Sequence, residues 1–188
     1  MKRLAALAAI AGLAGCAAVE PPAKPAAPGL ALANPGFEEA GAVDQCPPGW
    51  SCIVHGAHAH TWRADGRTPG QGAKSLCVDP IDPANNWLFV YQVLPAERLR
   101  GARLRVSALV RTAADPGAGA GPSIMVVGGD GVTLVHEQRP VRESGGWKRV
   151  AAEIAVPPNG YQVQAGIIFE SHAPACADDV RLEILPPA

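Results

Sequence analysis

From Ala102 to Arg111 the chain reads ARLRVSALVR, with Leu104, Val106, Ala108 and Val110 on one face and Arg103, Arg105, Ser107 and Leu109 on the other. Side chains alternate across a strand with period two, whereas a helix would space its apolar positions three and four apart. The stretch is therefore read as a strand with one buried face. Comparable runs recur along the chain, as NWLFVYQV, PSIMVVGG, GVTLVHEQ, WKRVAAEIAV, GYQVQAGIIF and DVRLEIL, divided by clusters of Gly, Pro, Asn and Asp. GGDG at residues 128 to 131 has the composition of a hairpin turn between two of them. Roughly eight to ten short strands at this spacing predict an all-β sandwich. Past residue 30 almost nothing reads as helix, and no repeat period stands out.

The N-terminus has a different character. Lys2 and Arg3 precede an apolar stretch from Leu4 to Gly15, which is too short to cross a hydrocarbon core of ~30 Å and has the layout of a secretion signal. Leu13-Ala14-Gly15-Cys16 resembles the bacterial lipobox, which implies cleavage before Cys16 and lipidation of that residue. Ala17 rather than Asp after the cysteine implies, by the same resemblance, the outer membrane of the cell envelope. Residues 16 to 29 are rich in proline and alanine, a composition that gives a semi-rigid extended tether. The expected organisation is a signal at 1–15, a lipidated tether at 16–29 and one domain at 30–188. A net charge of −1 with no basic run after residue 3 argues against a nucleic-acid partner, which would need a concentrated positive face.

Four cysteines remain after Cys16: Cys46, Cys52, Cys77 and Cys176. An even number in an exported chain is read as disulfides, with three possible connectivities. The favoured one joins Cys46 to Cys52 across the Pro47-Pro48-Gly49 turn and leaves Cys77 with Cys176. A zinc site fits poorly, because no CxxC pair is present.

NPGFEEAG at 34–41 with PPGW at 47–50, GAKSLCV at 72–78, VYQVLPAERLRGARLRVSALVR at 90–111, GGWKRVAAEIAVP at 145–157 and ADDVRLEI at 177–184 together resemble the cellulose- and xylan-binding type of carbohydrate-binding module. The resemblance covers about residues 31 to 185 and implies a galactose-binding-like jelly roll. It departs from the family at ERLRGARLRV, where an aromatic usual in that strand is missing. The resemblance further implies a structural calcium held by Glu38, a backbone oxygen at Lys74 and Asp178. Calcium takes six to eight hard oxygens, and it would relieve the repulsion between two carboxylates brought together. If the strands around Lys74 and Asp178 lie antiparallel, paired residue numbers keep a nearly constant sum, and Cys77 with Cys176 satisfies the same sum to within one. Phe37, Trp50 and Trp147 fall at the family's structural aromatic positions and are read as core or turn-packing residues.

Sugar-binding modules stack pyranose rings on exposed aromatics and hydrogen-bond hydroxyls with polar side chains. The ligand candidates are Trp62, Trp87, Tyr91 and Gln92. Along NNWLFVYQ, Trp87, Phe89 and Tyr91 share one face, but both faces are largely apolar, so parity does not say which is buried. With aromatics at 5%, the chain has little material for a long polysaccharide platform. His55, His58 and His60 in HGAHAHTW read as a solvated extended stretch, with a transition-metal site as the alternative.

Enzymatic readings find little support. G-x-S-x-G and H-E-x-x-H are absent, and ESGG at 143 to 146 resembles a protease nucleophile loop only superficially. Glu39, Glu137, Glu153, Glu170 and Asp179 are available for a glycosidase pair, yet nothing in their spacing selects two of them. The expectation is a non-catalytic, glycan-binding lipoprotein of the cell envelope. The alternative is a structural or protein-interaction lipoprotein on the same sandwich.

Overall fold

The computed structural model describes residues 30–39, 41–55, 60–80, 87–113, 119–170 and 173–186, excepting the side chains of His60 and Pro80. The expected signal, Cys16 and the tether lie outside the described residues, as does His58. Ten strands follow in chain order: β1 Ser51–Val54, β2 His60–Asp65, β3 Ser75–Pro80, β4 Leu88–Pro95, β5 Arg103–Thr112, β6 Ala120–Gly128, β7 Thr133–Gln138, β8 Lys148–Ala155, β9 Gly160–Phe169 and β10 Ala175–Leu185. They form two antiparallel five-stranded sheets, ordered β1-β4-β9-β6-β7 and β2-β3-β10-β5-β8. No helix occurs among the described residues.

The alternation that predicts β5 is the one that buries it. Leu104, Val106, Ala108 and Val110 are fully enclosed and face Leu88 and Val90 of β4 and Val163, Ala165, Ile167 and Phe169 of β9 in one core between the sheets. Each of the Leu, Val, Ile and Phe side chains contributes about 1.5–3 kcal/mol on leaving water. In β10 the alternation is interrupted. Ala175 and Ala177 point inward, and a register shift between Asp178 and Arg181, with Asp179 at φ 45°, returns Val180 and Leu182 to the core. Without the extra residue the second half of the strand would present its apolar side to water.

The N-terminal segment closes the sandwich without forming a strand. Phe37 donates its amide to the Asn34 carbonyl at 3.1 Å, closing the Asn-Pro-Gly turn, and its φ of 54° turns the ring into the core. That ring packs against Trp50, with centroids 5.1 Å apart. The Asn34 side chain accepts from the Glu39 amide and donates to the carbonyls of Glu39 and Pro48. Both disulfides form as expected, Cys46 with Cys52 and Cys77 with Cys176. The second joins direct register partners on β3 and β10. Gly128 to Val132 makes the β6–β7 turn, with Gly131 at φ 82° and Asp130 accepting from the Val132 amide.

Candidate functional site

The outward positions of the β1-β4-β9-β6-β7 sheet carry no Asp, Glu, Lys or Arg. Register sets them in rows: Tyr91, Gly166, Ser123 and Gln138 lie side by side, and Val93, Gln164, Met125 and His136 form the next row. Trp87 and Phe89 extend the aromatic line along β4 beyond Tyr91. Phe89 and Tyr91 stack at 4.7 Å between centroids, and Trp87 stacks on His55 at 5.5 Å. Phe89 is buried, while Trp87 and Tyr91 stay partly open. Leu88 and Val90 hold the opposite side of β4 in the core, which settles the parity that the sequence left open.

Across from this aromatic rail runs a polar one. The hydroxyl of Ser123, itself buried, lies 3.0 Å from Nε2 of His136, and Gln138 donates to Glu170 at 2.8 Å. Between the rails, Gly166 leaves bare backbone, because a Cβ there would sit 2.0 Å from the Val90 carbonyl oxygen. The result is an aromatic edge, a flat floor and a row of amide, hydroxyl and imidazole groups. An apolar sugar face ringed by hydroxyls is matched by such a surface.

The outer face of the other sheet is densely charged and paired within itself. Glu153 bridges Arg103 and Arg105, Asp179 bridges Arg149 and Arg181, and Arg63 pairs with Asp79. The hydrogen bond from Arg105 holds the Glu153 carboxyl below its ordinary range. Burial pushes Asp179 upward, but its bonds to Arg181 and Arg149 outweigh this and leave it lowered.

Of the four ligand candidates, Trp87 and Tyr91 lie on the uncharged face. Trp62 is on β2, half-buried against the core, and donates its indole N–H to the Gln45 carbonyl at 2.9 Å. A pocket that it lines with Phe37 and Glu39 has a volume of about 10 Å³, room for one water. Gln92 is occupied in holding the N-terminal segment, accepting from the Ala33 amide at 2.9 Å and donating to the Ala33 carbonyl at 2.7 Å. Sequence reasoning missed Ser123, His136, Gln138, Gln164 and Gly166. The polar half of GYQVQAGIIF, with Gln162 and Gln164 alternating against Val163 and Ala165, was the signal that could have found part of this set.

Glu38, Lys74 and Asp178 do come together, in a clasp between the N-terminal segment, the 66–74 loop and β10. Asp178 is fully buried, and burial raises its carboxyl above the ordinary range against the pull of the Gln71, Asp179 and Gly70 amides. Its Oδ2 accepts from Gly70 and Gln71, both at 2.8 Å, and its Oδ1 from Asp179 at 2.6 Å. Glu38 accepts from the Ala73 amide at 2.9 Å, and the Lys74 ammonium donates to the Glu38 carbonyl at 3.0 Å. A Cβ on Gly36 would lie 3.6 Å from Asp178 Oδ1 and 3.8 Å from Glu38 Oε1, so both carboxylates border Gly36. No Lys or Arg side chain reaches the Asp178 carboxylate among the described residues. Two carboxylates bordering Gly36 are oxygen donors of the kind a small hard cation takes, although among the described residues no group of three or more His, Cys, Asp or Glu could hold a metal.

The two sheets and their order define a jelly-roll β-sandwich of the galactose-binding-like kind. Carbohydrate-binding modules share it. The chain is similar to the CBM22-1 xylan-binding domain of Paenibacillus barcinonensis Xyn10C, with a TM-score of 0.56 and 15% identity over 81% of this chain and 93% of that one. Family 16 Carbohydrate Binding Module-2 gives a TM-score of 0.58 at 14% identity, over 80% of this chain and 97% of the module. The enzymatically active domain of bacteriophage CBA120 tailspike protein 4 gives 0.64 at 11% identity, covering 82% of this chain but only 21% of the tailspike chain. No family model matches the sequence, and no curated protein matches it.

Proposed function

We propose that this protein is a non-catalytic glycan-binding module, carried on the bacterial cell envelope by a lipid on Cys16 and lifted from the membrane by residues 16–29. The observation that carries the reading is the uncharged outer face of the β1-β4-β9-β6-β7 sheet, with Trp87 and Tyr91 along one side and Ser123, His136, Gln138 and Gln164 along the other. Tyr91 supplies a ring face for stacking, and the amides and imidazole supply donors and acceptors for hydroxyls. Similarity to carbohydrate-binding modules supports the glycan as ligand class. The test is retention of the full-length protein on insoluble polysaccharides, peptidoglycan included. Binding that falls at least about tenfold in Tyr91→Ala, with the melting temperature preserved, supports the reading. Retention on no glycan removes it. Cys16→Ser is expected to move the protein from the membrane to the soluble fraction.

Calcium at the clasp belongs to the same proposal. Glu38 and Asp178 carboxylate oxygens with the Lys74 carbonyl would hold the ion, which when bound supplies positive charge to a buried carboxylate. Chelation is then expected to lower the melting midpoint. An unchanged midpoint together with no metal in the purified protein rejects calcium.

A second reading, an envelope protein that binds other proteins, is favoured by Ile53 and Val93. They leave 42% and 51% of their surface exposed on that same outer face. Cross-linking to a single envelope protein, in the absence of glycan retention, would select it.

A further inference from the structure

We propose that His136 makes the glycan face selective by pH, favouring uncharged chains when its imidazole is neutral and chains bearing acidic sugars when it is protonated. The inference rests on the glycan reading above and specifies how that site chooses its ligand.

His136 stands exposed on β7, in the row that also holds Met125, Gln164 and Val93. Its Nε2 is engaged with the buried Ser123 hydroxyl at 3.0 Å, which leaves Nδ1 for a ligand. In the tautomer whose Nε2–H donates to the serine oxygen, the neutral ring presents Nδ1 as an acceptor for one sugar hydroxyl. An imidazolium offers two donors and a full positive charge. With both nitrogens donating, the ring loses its acceptor for a hydroxyl and gains a charge-assisted bond to a carboxylate.

The surroundings do not cancel that charge. The outward positions of β1, β4, β6 and β9 contribute no ionised side chain, and Tyr91 is the titratable group among them. On β7 itself Glu137 is paired with Arg139. Glu170, just past β9, is tied to Gln138, and no carboxylate pairs with His136 among the described residues. Arg142 lies beyond the end of β7. A protonated His136 would therefore be the cation of a face whose strands carry no other charge outward, while the Glu170 carboxylate held by Gln138 keeps its own charge beyond the end of β9. In low-salt buffer it would act on a bound uronate with little competition.

The test compares soluble glycans that share a backbone and differ in charge: linear xylan against glucuronoxylan, and hydroxyethylcellulose against carboxymethylcellulose. Affinity electrophoresis of full-length protein would be run near pH 5 and near pH 8, the limits between which imidazoles change charge. Expected for the native protein is a preference for the acidic member of a pair that rises about five- to tenfold from the higher to the lower pH, and a His136→Gln variant whose preference stays flat. Retention with the same preference at both pH values overturns the role of His136 and leaves the glycan reading standing. Equal pH dependence in native protein and His136→Gln also overturns it. Retention of none of the four at either pH counts against the glycan reading itself, and this inference falls with it.

Discussion

A methyl group on Gly72 would lie 1.8 Å from Oε1 of Glu38, at a φ of 65° that L side chains rarely adopt. Gly72→Ala is expected to cost about 1–3 kcal/mol in urea unfolding, chiefly from backbone strain at that φ, because the Glu38 carboxylate is the end of a side chain that can give way. Gly129→Ala, where a Cβ meets nothing within 4 Å, should leave the midpoint in place. The pair of variants separates backbone strain at the clasp from a general effect of added methyl groups. At this same scale the uncharged face was only half legible. Tyr91 and Trp87 announce themselves as aromatics, but choosing Trp62 and Gln92 beside them required knowing which sheet each strand joins. Trp62 falls on the other sheet, and Gln92 points to the inner side of β4, where it is bound to Ala33. Ser123 and His136 are 13 positions apart, and only the β6–β7 register brings the hydroxyl to the ring.

Among the elements, β5 was legible because one clean alternation coincides with one buried face. β1, with four residues, and β2, with a half-polar HTWRAD, offer too little pattern to separate strand from loop. β10 conceals its inward set because the shift at Asp178 to Arg181 changes parity in mid-strand, and no local sequence rule marks where that happens. Its link to β3 was legible through cysteine, since a bond between Cys77 and Cys176 requires those strands to meet. Replacing both by alanine is expected to lower stability by about 2–5 kcal/mol, given the long loop that the bond closes. Cys46→Ala with Cys52→Ala, at a separation of 6, should cost less. Thermal melting of the two double variants, each compared with the native protein, reads the difference directly. Equal losses would show that loop length is not what decides the contribution.

For the whole molecule, the contrast is between one neutral face and one charged face of the same sandwich. The charged face makes stability depend on acidity. Glu153 and Asp179 have folded-state pKa values below their unfolded ones, so the folded state binds fewer protons and their contribution is fully present above the unfolded carboxylate range. It is lost as pH falls through the lowered folded values. Asp178, raised by burial, works in the opposite sense and withdraws stability as pH rises through the carboxylate range. With four lowered carboxylates, Asp65 and Glu143 included, against one raised, the urea midpoint is expected to fall from about pH 6 to about pH 3, and to fall less in Arg105→Gln. An unchanged slope in that variant would remove the Glu153 bridge from the account. The Cys77–Cys176 bond has a further consequence, mechanical rather than thermodynamic. Strands β4 to β9 all lie between its two cysteines. A pull applied through the two ends of the chain therefore bypasses the 99-residue separation that the bond spans. At about 3.6 Å per residue, roughly 36 nm of chain stays off the load path, and stretched molecules should lengthen by that amount only after reduction.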